Sequence, residues 1–154
     1  MTETSLPPIM ASIEIAAGLR HVWSVVTTPA LVEEWLGCMQ FEYAVGATFF
    51  MQPDPQRRAR GDQTGATHCT IKLIEPPHRL VFSWFIPGTP ETLVEIRLEV
   101  IGDAATRLDL VHSGWEQFPP EAVRPFHTQL SGGWSGGVLP GLKRVAESPT
   151  RATS

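Results

Sequence analysis

In "TRLDLVHS", residues 106–113, Leu108, Leu110 and His112 oppose Arg107, Asp109 and Ser113, so an extended segment places one imidazole on a covered, apolar face. A buried imidazole has to be hydrogen-bonded, and inside a cavity it can orient a ligand's carbonyl or hydroxyl or exchange a proton near neutral pH. His112 is therefore the candidate acid or base of any enzymatic reading, and a satisfied core histidine is the alternative. Ser113 cannot share its proton, because successive strand residues point to opposite faces. "HSGWE" is no nucleophile elbow either, which needs Gly-x-Ser-x-Gly between strand and helix. His68 meets His112 only if their strands turn the same way. His21, His78 and His127 fall on a helix face, in a turn and on a later helix. Cys38 and Cys69 match no metal spacing and no H-E-x-x-H occurs, so neither a metal site nor a cofactor is expected. Both cysteines read as reduced thiols, Cys69 as a small buried hydrophobe beside Ile71 and Leu73. Arg57, Arg58 and Arg60 in "PDPQRRARGDQTG" read as a solvated loop rather than an anion site.

The aromatic and thioether residues are more informative than the titratable ones. Phe49 and Met51 share one strand face, as do Phe82 and Trp84, while Trp35, Phe126 and Trp134 lie on helical stretches. Together with Cys69, Ile71, Ile96, Leu110, Leu130 and His112 they form the candidate ligand-binding set. Two readings remain open: a filled core, or a pocket of apolar walls with a few polar groups, the usual build of a small-molecule site.

The elements that must position these residues follow from periodicity. "IMASIEIA" alternates and reads as a strand, and "LRHVWSVV" carries apolar residues at i, i+3, i+4 and i+7, as an amphipathic helix does. Thr28 and Pro29 restart a second short helix and Gly37 ends it. From Phe41 to Ser113 the period becomes two, predicting strands near 41–45, 47–52, 66–75, 79–86, 92–101 and 105–113. Short turns such as "EPPHR" and "IGDAAT" make neighbours antiparallel. After Gly114 the helical period returns over 119–146, and residues 147–154 are expected to fray. Strand, two helices, six strands and a long helix make an α+β domain, with helices on one face of an antiparallel sheet.

One stretch of that last helix contradicts itself. "SGGWSGGVLPGLK", residues 131–143, spaces Trp134, Val138 and Leu142 helically but is rich in glycine and contains Pro140, the residues least favoured in a helix. Tertiary packing must hold it. Its glycines are expected either to let backbone approach a sheet, a ligand or bulky neighbours such as Trp84 and Trp115, or to loosen the helix into a gate, with Pro140 kinking the last turns.

With 154 residues, 42% hydrophobic and 18% charged, the chain suits one globular domain over 1–154 with a core across about 9–146. Its net charge of −4 offers no basic stripe for nucleic acid. The start "MTETSLPPIM" has neither a basic nor an apolar leader region, and no apolar run spans a bilayer, which predicts a cytoplasmic protein without membrane insertion.

In order along about residues 9–146, "IEIAAGLRHVWSVVTTPALVEEWLG", "VGATFF", "PPHRLVFSW", "TLVEIRLEVIGDAATRLDLVHSGW" and "GGWSGGVLPGLK" resemble the START-like helix-grip superfamily, in particular homologues of the heat-shock ATPase activator. That resemblance implies a curved antiparallel sheet of six to seven strands wrapped around one long C-terminal helix, with an apolar cavity between them. It implies much less about activity, since the fold hosts carriers, cyclases, hydrolases, resistance proteins and co-chaperones. The leading expectation is non-covalent binding of a small hydrophobic or aromatic molecule, lipid-like or polyketide-like. Regulation of the heat-shock ATPase and an enzyme using His112 are the alternatives, the former weakened because no segment resembles the activator's N-terminal client-binding region. A homodimer is compatible with the sequence.

Overall fold

The computed structural model describes residues 6–52 and 54–148. Strand β1 (Ile9–Ile15) leads into helices α1 (Leu19–Thr27) and α2 (Pro29–Leu36). There follow β2 (Cys38–Met39), β3 (Thr48–Met51), α3 (Pro55–Arg60), β4 (Thr67–Glu75), β5 (Arg79–Phe85), β6 (Thr92–Gly102) and β7 (Ala105–Ser113). A single 3₁₀ turn precedes α4 (Pro120–Gly133), which runs through one π turn (Trp134–Val138) into α5 (Leu139–Ala146). The seven strands form one antiparallel, curved sheet in the order β1-β7-β6-β5-β4-β3-β2. The expected helix-grip architecture is present.

Local chemistry explains most boundaries. Pro29 occupies the first turn of α2, where its missing N–H costs nothing, and Gly37 closes the helix in the left-handed region at φ 70°. The Thr28 side chain makes no capping bond, so the restart rests on the proline. The strand expected at 41–45 does not form. Gln40 at φ 64° and Gly46 at φ 92° turn the chain on both sides of it, leaving only the short β2 upstream to pair with Phe50 and Met51. The arginine segment expected to be a loop is instead α3. Asp54 caps it by accepting from the N–H groups of Gln56 and Arg57, and Gly61 terminates it at φ 71°.

The sheet's inner face is written in cross-strand rows. Phe49, Cys69, Trp84 and Thr92 make one row, and Ile71, Phe82, Val94, His112 and Ile9 the next. Leu80, Ile96, Leu110 and Ala11 follow. These rows are almost entirely buried and join residues of α1, α2 and the C-terminal helix in a single core. The same alternation sends His68 to the outer face, where it packs against Phe50 and Phe85, so it shares no cavity with His112. Val100 continues the inner-face pattern of β6 yet is exposed, while its cross-strand partner Thr106 is buried and donates to the Ala17 carbonyl.

The C-terminal helix resolves its sequence conflict with a wide turn. Pro140 has no N–H to offer, and in a regular helix its ring would press on the carbonyl of Gly136, four residues earlier. Over Trp134–Val138 the backbone widens, and Leu139 N–H bonds to the Trp134 carbonyl five residues back. The expected close approach at the glycines is overturned: a Cβ on Gly132, Gly133, Gly136 or Gly137 would meet nothing within 4 Å, so neither sheet nor Trp84 nor Trp115 requires them. The beginning of the tail expected to fray is fixed, since Glu147 accepts from Ala16 N–H at 2.7 Å and from Lys143 at 2.6 Å. Residues 149–154 lie outside the described residues.

Candidate ligand cavity

His112 is fully buried in its inner-face row, between Val94 of β6 and Ile9 of β1. The Thr92 hydroxyl donates to the Trp84 carbonyl at 2.7 Å. With that proton committed, His112 Nε2–H donates to Thr92 Oγ1 at 2.7 Å, and Nδ1 is left to accept from the Trp134 indole at 3.1 Å. Trp115 Nε1–H is spent on the His112 carbonyl at 2.8 Å. The ring is thus one specific neutral tautomer with both nitrogens occupied. Burial, with a smaller repulsion from His127, pushes its pKa down to about 3. The chain Trp134–His112–Thr92 ties the C-terminal helix to the sheet.

Three cavities lie along that helix. The outer one, of about 410 Å³, is bounded by the end of α2 (Glu34, Trp35, Leu36, Gly37), by Met51, Arg58 and Thr67, and by Gly133, Gly137 and Val138. The far one, of about 290 Å³, is bounded by Trp84, Ile86, Thr89, Pro90, Thr92, Trp115, Phe118, Ala122, Val123 and Phe126. Between them sits a small one of about 80 Å³, lined by Met51, Trp84, Leu130, Gly133, Trp134 and Val138. It shares Met51, Gly133 and Val138 with the outer cavity and Trp84 with the far one. The three form a series along α4 and the π turn, the outer and far ones opening to solvent at its two ends. The inner two carry no charged side chain in their walls.

The candidate residues divide between these walls and the packed core. Trp35, Met51, Trp84, Phe126, Leu130 and Trp134 line the cavities. Phe49, Cys69, Ile71, Phe82, Ile96, Leu110 and His112 face the same side of the sheet but line none of the three. They are at most 1% exposed, packed ring on ring where aromatic (Phe49 against Phe41 and Phe82), so that part of the sheet–helix space is filled. Sequence reasoning missed Trp115, Phe118 and Val123, which stand on the 3₁₀ turn, just after it and in the first turn of α4. Val123 follows the apolar periodicity of the helix, but only the fold brings it and Trp115 opposite the β5–β6 hairpin. It also missed that Gly133 and Gly137, four apart, border the outer cavity, where the lack of a side chain leaves space open.

Elsewhere the chemistry is quiet. Burial, then Glu33, pushes the Cys38 thiol up to about 12 against an opposing pull from Arg58, and burial raises Cys69 well above the usual thiol range. Both are unpaired by disulfide. Among the described residues no group of three potential metal ligands comes together. No described helix is long and apolar enough to cross a membrane.

The profile of the family described as "Activator of Hsp90 ATPase homolog 1-like protein" matches residues 16–144. The chain belongs to this family. Among solved structures it is similar to the Bacillus halodurans protein BH1534, with 25% identity over 94% of this chain and all of that one and a TM-score of 0.71. It is also similar to DynU16, a putative protein in the dynemicin biosynthetic locus, at 26% identity, 92% coverage and a TM-score of 0.67, spanning 48% of that protein's length. The Aha1 dimer from Colwellia psychrerythraea shares the fold at 17% identity, with coverage of 92% and 97% and a TM-score of 0.70. Comparison with curated proteins gives no match. Family membership accounts for the seven-stranded grip and for the helix lying across it.

Proposed function

We propose that this family member is a cytoplasmic carrier or receptor that holds a small, largely apolar molecule non-covalently between the sheet and its C-terminal helix. The observation that carries this reading is the series of three cavities along α4 and the π turn, walled by Trp35, Met51, Trp84, Phe126, Leu130 and Trp134. Apolar walls with few polar groups suit burial of a hydrophobic ligand, whose transfer from water supplies the affinity. Native mass spectrometry of protein purified from its host tests it. A non-covalent adduct that disappears on denaturation is expected, and its mass gives the compound class. A side-chain-filled interior with no uptake of any hydrophobic probe would overturn the reading.

The family description favours a second reading, regulation of the Hsp90 ATPase. The two separate in one assay: the ATPase rate is expected to stay unchanged when this protein is added, and stimulation would reverse the preference. An enzyme using His112 has less support, because both ring nitrogens are engaged within the protein and neither reaches a cavity wall. Full turnover of a candidate substrate by His112→Ala would remove that assignment altogether.

A further inference from the structure

The polar atoms around the two inner cavities are nearly all spent. Thr89 donates to the Ile86 carbonyl at 2.7 Å, Thr92 to the Trp84 carbonyl, Trp115 to the His112 carbonyl and Trp134 to His112 Nδ1. One donor is left over. Among the described residues, Trp84 Nε1 is the buried side-chain nitrogen or oxygen without a hydrogen-bond partner, on a residue that is 5% exposed. A buried indole N–H normally finds a partner, and leaving one unsatisfied costs about 1–3 kcal/mol. Trp84 also lines both the far and the middle cavity.

We propose that Trp84 Nε1–H is the polar anchor of the ligand site, and that the ligand is a flat, largely apolar molecule presenting one neutral acceptor, a ketone, quinone or ester carbonyl. This rests on the ligand-cavity reading and specifies its chemistry. The acceptor follows from the inventory: the inner walls have an unspent donor. Neutrality follows from the charge pattern, since neither inner cavity has a cationic side chain to offset the cost of burying an anion. Flatness follows from the far cavity's rings, with Phe126 lying 5.8 Å from Trp84 and 6.5 Å from Trp115, and Phe118 5.8 Å from Trp115, centroid to centroid. Those rings pack directly on one another into one aromatic wall, against which a flat ring stacks better than a branched aliphatic chain.

The test uses fluorenone and fluorene, which share a skeleton and differ in the carbonyl. Each is titrated into the wild-type protein by calorimetry, and the tryptophan indole resonances are followed in a proton–nitrogen correlation spectrum, with Trp84 assigned through Trp84→Phe. Fluorenone is expected to bind about tenfold more tightly than fluorene, the worth of one net hydrogen bond, and to move the Trp84 indole proton downfield. Trp84→Phe should equalise the two while still binding fluorene. If the two bind wild type equally and the Trp84 resonance stays in place, the anchor is overturned and the apolar cavity stands. If neither binds, the cavity reading falls and the anchor with it. If Trp84→Phe fails to fold, the Trp84 indole is assigned from nuclear Overhauser contacts in the wild-type protein, and its shift together with the two wild-type affinities decides the point.

Discussion

A fully buried imidazole such as His112 contributes to stability only while it stays neutral. Alternation along β7 correctly puts it on the covered face, yet its chemical role depends on Thr92, Trp84 and Trp134, which lie 20, 28 and 22 residues away and meet it only through the β5–β6–β7 pairing and the helix above. Its folded pKa of about 3 lies below the unfolded value of 6.5. Between those limits the unfolded chain binds a proton that the folded one refuses, so stability falls as pH drops through the window. The slope is about 1.4 kcal/mol per pH unit from this one residue, starting near pH 6.5 and levelling near pH 3. His112→Gln should flatten the pH dependence of the denaturation midpoint between pH 6 and pH 4 by about that slope, at the cost of lower stability near neutrality. An unchanged slope would mean that the ring is protonated in the fold. The cysteines give a second residue-scale expectation. Burial keeps both thiols protonated and out of reach, so a disulfide-exchange reagent should leave the native protein unmodified and titrate two thiols per chain once it is denatured. Rapid reaction of either native thiol would contradict the closed packing around β2 and β4.

At the scale of elements, the C-terminal helix was legible in its period and illegible in its purpose. The spacing of Trp134, Val138 and Leu142 predicts a helix, and Pro140 predicts a disturbance, but the disturbance appears upstream as a π turn rather than a kink in the last turns. Of the glycines that looked like close-contact residues, Gly132, Gly133, Gly136 and Gly137 border empty space and Gly141 alone faces backbone, the Trp35 carbonyl at 4.0 Å. A sequence shows that a side chain is missing at Gly133 and Gly137; only the fold shows that its absence leaves a cavity. Gly132 offers the contrast, being exposed, in α4 and outside the walls of the three cavities. Gly132→Ala should raise stability by about 0.5–1 kcal/mol in denaturant unfolding and leave ligand affinity alone. Gly137→Leu should instead fill the outer cavity and weaken uptake of any ligand long enough to reach Met51 and Trp35. Equal effects on binding from both variants would remove the glycines from the account of the site. The strand lost at 41–45 and the helix gained at 55–60 have a common cause. Both turn on positive-φ positions (Gln40, Gly46, Gly61) and on the Asp54 cap, local features that periodicity does not register.

For the whole molecule, the topology ties the two ends of the chain together and leaves the middle of the long helix to its packing. β1 pairs with β7, and α5 is fastened to the β1 end of the fold by Lys143 Nζ on the Glu14 carbonyl at 2.7 Å, by Glu147 on Ala16 N–H, and by His21 against the Ala146 carbonyl at 2.8 Å. α4 and the π turn line the three cavities and are held through Trp134 on His112 and through His127 Nε2 against the Pro7 carbonyl at 2.8 Å. To reach the middle cavity a ligand has to pass the segment with fewer apolar contacts beneath it, and local opening follows contact density. Amide exchange should therefore be faster over 130–138 than over 139–146 in the unliganded protein, and bound fluorenone should slow the first segment while leaving the second unchanged. Uniform protection along the whole helix would show that α4 and α5 open together. Entry would then require release of the Lys143–Glu147 clasp, and replacing Glu147 by Gln would speed ligand exchange, where the clasped-α5 account expects no effect on it.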